Sequence, residues 1–178
     1  MQRQTGHTGR LAAAALMSAM TAVCAQIQIP LPAVPISLAL FAVLLCGALL
    51  EPRFSLLAMG AYVLLGAAGL PVYAGFLAGP SVLFGPTGGF LFGYALCAPA
   101  VGLLLRRLGF TRKGLVLSMI AAAALCYVSG LLWFIAVTGS GLRAALAACV
   151  LPFLPGDALK IALASSLALR LKKALPHL

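Results

Sequence analysis

Six stretches of almost unbroken apolar residues run along the chain, at residues 11–27, 36–50, 54–69, 88–105, 115–138 and 142–171. None carries the polar stripe of a helix that floats on a soluble core; a segment that is apolar all round is buried in protein or in lipid. A crossing needs about 20 residues for a hydrocarbon core about 30 Å thick. The pattern therefore predicts an all-α polytopic membrane protein, a bundle of six transmembrane helices. The 178 residues make a single integral membrane domain, 1–178, and leave no length for a second. The runs at 36–50 and 54–69 are short for a full crossing.

The breaks carry turn chemistry: Pro30, Pro32 and Pro35 in the first, Glu51-Pro52-Arg53 in the second, and prolines interrupting the last run. The third break, residues 70–89, is different, being apolar, uncharged and studded with glycine and proline. Irregular backbone at membrane depth survives only where protein or a watery cavity covers it. This apolar Gly/Pro-rich outer loop is expected to fold back over the end of the bundle as a lid or pocket wall.

Charge orients the bundle. Arg3, Arg10, Arg53, Arg106, Arg107, Arg112, Lys113, Arg170, Lys172 and Lys173 fall on one side of the six runs, and only Arg143 falls in a loop on the other. Basic residues collect on the cytoplasmic side, so both termini are expected there, in the plasma membrane of a prokaryote. Arg3 and Arg10 ahead of residues 11–23 and Cys24-Ala25 also fit a cleaved signal peptide. The charge asymmetry favours a first helix that is retained. Charged residues make up 8% of the chain and hydrophobic ones 63%, a balance that excludes a soluble fold. A net charge of +10 would point to nucleic acid in a soluble protein. Here the bases flank apolar runs and act as membrane anchors, so lipid and not nucleic acid is the expected partner. The five cysteines, Cys24, Cys46, Cys97, Cys126 and Cys149, show no CxxC spacing and are read as small core residues, not metal ligands.

Candidate chemistry is sparse. The chain has two acids, Glu51 and Asp157, and two histidines, His7 and His177, the latter both in the tails. A membrane-embedded enzyme has no histidine to use, and no cofactor or metal is called for. Glu51 reads as a solvated charge beside Arg53. Asp157 and Lys160 stand three apart on one helix face, inside an apolar run, where ionisable groups are costly and are paired or functional. Two readings stay open. The pair can satisfy itself, with Asp157 also complementing the helix dipole. Alternatively, it lines an outward pocket in which Lys160 holds a ligand carboxylate and Asp157 accepts from ligand N–H groups. Tyr73, Phe84, Phe90, Tyr94, Tyr127 and Trp133 are candidate walls, Ser129-Gly130 a candidate helix-packing notch, and Ala15 and Ala19 a smooth stripe for close helix approach.

The stretches Pro35-Ile-Ser-Leu, Leu64-Leu-Gly-Ala-Ala-Gly-Leu-Pro-Val-Tyr-Ala-Gly, Gly85-Pro-Thr-Gly-Gly-Phe-Leu-Phe-Gly-Tyr and Pro152-Phe-Leu-Pro-Gly-Asp-Ala-Leu-Lys resemble BioY, the biotin-specific substrate-binding component of energy-coupling factor (ECF) transporters. The similarity runs from the first helix to the last. It implies a six-helix subunit that captures biotin from outside, with a transmembrane coupling protein and two ABC ATPases as partners. It also implies ligand-facing Asp157 and Lys160, with Gly85, Pro86, Thr87, Gly88 and Gly89 nearby and Tyr94 as an aromatic wall, and a partner-docking face at Ala15 and Ala19. Two places depart from the family pattern: Pro35-Ile-Ser-Leu-Ala39 stands where Pro-Ile-Thr-Leu-Gln is usual, and Phe76-Leu77 interrupts a stretch usually richer in glycine. The chain lacks a GxxxxGK[ST] phosphate loop, so any ATP-driven cycle needs other subunits. A solitary facilitator or secondary transporter for biotin or a small carboxylate is the alternative.

Overall fold

Helix fills most of each apolar run; Gly85, Gly109 and Gly139 follow the ends of three helices, and Thr111 caps the start of another, its hydroxyl accepting from the Gly114 amide. The computed structural model describes residues 6–31 and 34–174; Arg3, Pro32 and His177 lie outside them. The helices are α1 (His7–Gln26), α2 (Ala39–Leu49), α3 (Pro52–Ala67), α4 (Pro80–Phe84), α5 (Gly88–Leu108), α6 (Arg112–Thr138), α7 (Leu142–Cys149) and α8 (Leu154–Ala174). Between α1 and α2 lies a small antiparallel hairpin of β1 (Gln28–Ile29) and β2 (Ile36–Ser37), with Gln28 opposite Ser37.

Helices α1, α5 and α6 are long and apolar enough to cross a bilayer. The last apolar run is not one straight helix: α7 and α8 meet at a 48° bend. Pro152 and Pro155 lie at that break, where proline has no N–H to continue the ladder. Helices α2 and α3 are apolar but shorter, as the runs at 36–50 and 54–69 anticipated. The first helix is integral to the bundle, burying Ala14, Ser18, Thr21 and Ala25.

The alternating direction of the helices gives the bundle two unlike ends. The start of α1, the α2–α3 turn, the α5–α6 turn and the end of α8 share one end, where Arg10, Glu51, Arg106 and Lys172 surround one hollow. The hairpin, residues 68–87 and the start of α8 share the other. Glu51 is solvent-exposed, as its place in the α2–α3 turn suggested, and it also reaches across to Arg10 on α1 at 3.0 Å.

Helices α5 and α6 pack most intimately, because glycine removes the side chains between them. A Cβ on Gly89 would run into Trp133 and come 2.7 Å from the Ser129 carbonyl oxygen, and one on Gly130 would strike the Phe90 ring. The Ser129-Gly130 notch therefore receives Phe90. Cys46, Cys97, Cys126 and Cys149 are buried in the core and Cys24 is half-buried, all with free thiols.

Candidate functional site

The site is at the hairpin end, where α8 begins. Asp157 lies in the first turn of α8 and Lys160 one turn on, both buried among helices instead of facing lipid. The Lys160 Nζ donates to Asp157 Oδ1 at 2.6 Å. The Tyr127 hydroxyl, from α6, donates to Asp157 Oδ2. Both carboxylate oxygens are thus engaged, yet capacity remains. An ammonium has three donors and each carboxylate oxygen a second lone pair.

This triad borders a hollow of about 40 Å³ walled by Ser37, Phe90, Tyr94, Phe153 and the hairpin residues Val34 and Pro35. Phe90 and Phe153 lie nearly parallel, ring centroids 6.2 Å apart. A second hollow of about 70 Å³ adjoins it, reaching Tyr62, Tyr73, Leu77 and Thr87. The two share Val34, Pro35, Ser37, Phe90 and Tyr94. Both spaces are narrow.

Residues 68–87 do fold over this end, and the reason is Gln26, which sequence reading passed over. Its Nε2 donates to the Tyr73 carbonyl at 3.1 Å and the Val72 carbonyl at 3.3 Å, while its Oε1 accepts from the Phe76 amide at 2.9 Å. Tyr73 is buried against Gly66, its hydroxyl donating to the Val63 carbonyl at 2.6 Å. Phe76 pays for this path with a left-handed φ of +58°. That is a conformation glycine adopts freely.

Of the sequence candidates, Asp157, Lys160 and Tyr94 come together around the hollows, and Thr87 reaches the larger one. Gly85, Pro86, Gly88 and Gly89 do not line either hollow. Gly88 and Gly89 are buried against α6, the Gly85 carbonyl accepts from Trp133 Nε1 at 3.0 Å, and Pro86 is exposed. The Gly-Pro-Thr-Gly-Gly segment therefore seats the start of α5 and, through it, Phe90 and Tyr94. Phe84 is exposed and lines neither hollow. Ala15 and Ala19 lie on the exposed side of α1, in a groove of about 350 Å³ shared with Ala61 and Leu65 of α3.

Residues 1–177 match the BioY family. The chain belongs to the BioY family. It is 38% identical over 164 residues to the biotin transporter BioY of Thermotoga maritima, covering 92% of this chain and 96% of that one. It is 33% identical over 158 residues to a probable biotin transporter BioY of Pyrococcus horikoshii, covering 89% and 93%. The crystal structure of the S-component for biotin from an ECF-type ABC transporter superposes with a TM-score of 0.87 at 25% identity, over 97% of this chain and 95% of that one. The chain is a predominantly helical, multi-pass membrane protein, and its family is one of transporters, not enzymes.

Proposed function

We infer that the chain is the membrane-embedded biotin-binding subunit of an ECF-type uptake transporter. It captures biotin at the hairpin end for import driven by a coupling membrane protein and two ABC ATPases. The observation that carries this is the buried Asp157–Lys160 pair, joined by the half-buried Tyr127, at the rim of the hollows, on a BioY fold. Donor and acceptor stand side by side at 2.6 Å. A ureido group likewise presents N–H beside C=O. Asp157 takes ligand N–H groups and Lys160 meets a ligand oxygen, while Phe90, Tyr94 and Phe153 supply the apolar walls that small-molecule sites need.

Small-molecule sites typically span at least about 300 Å³, so hollows of about 40 and 70 Å³ must both merge and widen to admit the vitamin. The hairpin supplies shared walls of both, Val34, Pro35 and Ser37. Its outward movement joins them and opens the site. Loop 68–87 forms the other wall.

In this reading α1, α2, α3, α5, α6 and the bent α7–α8 pair make six crossings, with both termini and the basic end in the cytoplasm, as the charge rule favours, and the hairpin outside. The exposed Ala15–Ala19 face of α1 then offers the coupling protein a smooth surface within the membrane.

The test is uptake of labelled biotin by a host lacking its own biotin transporter. Co-expression with coupling protein and ATPases is expected to give accumulation that an ATPase-dead partner abolishes. Uptake by the chain alone at the same rate contradicts the coupled reading. No uptake with any partner set, although the protein is folded and inserted, contradicts the biotin reading.

A further inference from the structure

The loop that folds over the hairpin end carries no charge, and the chain holds no Asp, Glu, Lys, Arg or His between Arg53 and Arg106. Its large apolar side chains are nevertheless on the surface, Phe76 being 70% exposed and Phe84 65%, with Leu70 and Leu77 exposed beside them. We propose that this face of residues 70–84 lies in the outer leaflet, at the boundary between headgroups and acyl chains, with lipid as its partner. The inference rests on the six-crossing topology and not on the identity of the transported ligand.

Three observations converge on it. The first is length. Helix α3 begins at Pro52, beside the exposed charges Glu51 and Arg53, which hold its start at the cytoplasmic headgroups. Its 16 residues rise about 24 Å, against a hydrocarbon core of about 30 Å. Tilt only shortens that span. The end of α3 therefore stops short of the opposite boundary, and the loop that continues from it starts at membrane depth.

The second is backbone chemistry. A helix end in water leaves its last carbonyls to solvent, whereas apolar surroundings require donors from the protein. Here the loop supplies them. The Leu64 carbonyl accepts from the Ala68 amide at 2.9 Å, that of Leu65 from Leu70 at 3.1 Å, and that of Gly66 from both Gly69 at 3.1 Å and Gly79 at 2.8 Å. Further along, the Tyr73 amide donates to the Leu77 carbonyl at 3.1 Å, and the Gln26 side chain serves Val72, Tyr73 and Phe76. Much of the backbone at this end is thus satisfied by the chain itself.

The third is continuity with a surface that already faces lipid. Leu57 and Leu64 stand seven apart on one face of α3, both exposed, and Leu70, bonded back to the end of that helix, extends the apolar row into the loop. Phenylalanine and leucine are the side chains that interfacial segments bury about 5–10 Å into the headgroup boundary. A loop washed by water gains nothing from two exposed phenylalanine rings. Lipid then backs the wall that Tyr73 and Leu77 give the larger hollow.

The experiment reconstitutes the full-length chain in phosphatidylcholine vesicles and reads tryptophan quenching by lipid brominated high on the acyl chain, by lipid brominated near the chain end, and by aqueous iodide. Trp133 is the only tryptophan, so Trp133→Phe, which keeps a ring against Phe92, gives a background without indole. Phe76→Trp, Phe84→Trp and Leu125→Trp are placed in it one at a time; Leu125 is exposed midway along α6. Both loop variants are expected to emit in the blue, to lose more intensity to the high bromines than to the low ones, and to resist iodide. Leu125→Trp loses more to the low bromines. Two loop positions, one on α4 and one before it, keep the test readable where one variant fails to fold. Loop variants that iodide quenches and both brominated lipids leave bright, beside a Leu125→Trp that bromine quenches, overturn the proposal and leave the six crossings standing. A Leu125→Trp that neither brominated lipid quenches overturns the topology, and the proposal with it. Lipid quenching of the loop that disappears as the protein-to-lipid ratio rises gives the face to a second copy of the chain and overturns lipid as its partner.

Discussion

Lys160→Met should destabilise the protein strongly, and a second substitution should undo the damage without restoring ligand binding. Lys160 and Asp157 are both buried, 7% and 3% exposed, and bonded at 2.6 Å. Removing the ammonium leaves a carboxylate in the protein interior with Tyr127 as its remaining partner. Orphaning one member of a buried ion pair costs about 3–5 kcal/mol. For a chain of this length that corresponds to a fall of roughly 10 °C in unfolding midpoint. Asp157→Asn in the Lys160→Met background removes the second charge and keeps an oxygen for Tyr127 to donate to, so most of the loss should return. Biotin affinity follows a different course. The charge-assisted bonds to the ligand are lost in both variants, which at about 1.5–3 kcal/mol weakens binding roughly 10- to 150-fold. Thermal unfolding in detergent, paired with equilibrium biotin binding on the same samples, separates the two effects. A double variant that regains wild-type affinity would mean the pair serves the fold alone. A single variant that loses no stability would refute its description as a buried, mutually dependent pair.

Three further outcomes follow from the packing. Gln26→Leu removes the side chain that grips Val72, Tyr73 and Phe76; hydrogen exchange at the Phe76 amide should accelerate and limited proteolysis should cut within residues 70–79. Phe76→Gly relieves a left-handed backbone that costs about 1–2 kcal/mol, offset in part by glycine's entropy. Its unfolding midpoint should rise by about a degree or two. Gly89→Ala forces a methyl group toward Trp133 and the Ser129 carbonyl; overpacking of this kind costs about 1–3 kcal/mol, and the indole fluorescence of Trp133 should shift as α5 and α6 separate.

Much of this architecture was legible from local pattern. An apolar run is helical wherever the backbone must satisfy itself in lipid, and an Asp and a Lys three apart on a helix share a face, so the helices and the Asp157–Lys160 contact could be read directly. What the pattern concealed is tertiary. Tyr127 reads as a candidate pocket wall, but its bond to Asp157, 30 positions away, is visible only in the fold. Gln26 is a single amide at a helix end, and only the fold brings residues 72–76 beneath it. The Gly85–Gly89 signature is specific in sequence, yet specificity alone does not separate ligand contact from close packing; here Gly88 and Gly89 are used by α6. Glu51 is solvated as read, but its partner, Arg10, comes from a different helix and is not visible in the local sequence.

The central claim is tested most directly by equilibrium binding of labelled biotin to the purified full-length chain, without any coupling or ATPase subunit. The account predicts saturable binding of one biotin per chain, competed by dethiobiotin, which keeps the ureido group that Asp157 and Lys160 are assigned to hold. Folded protein that shows no saturable biotin binding would contradict it.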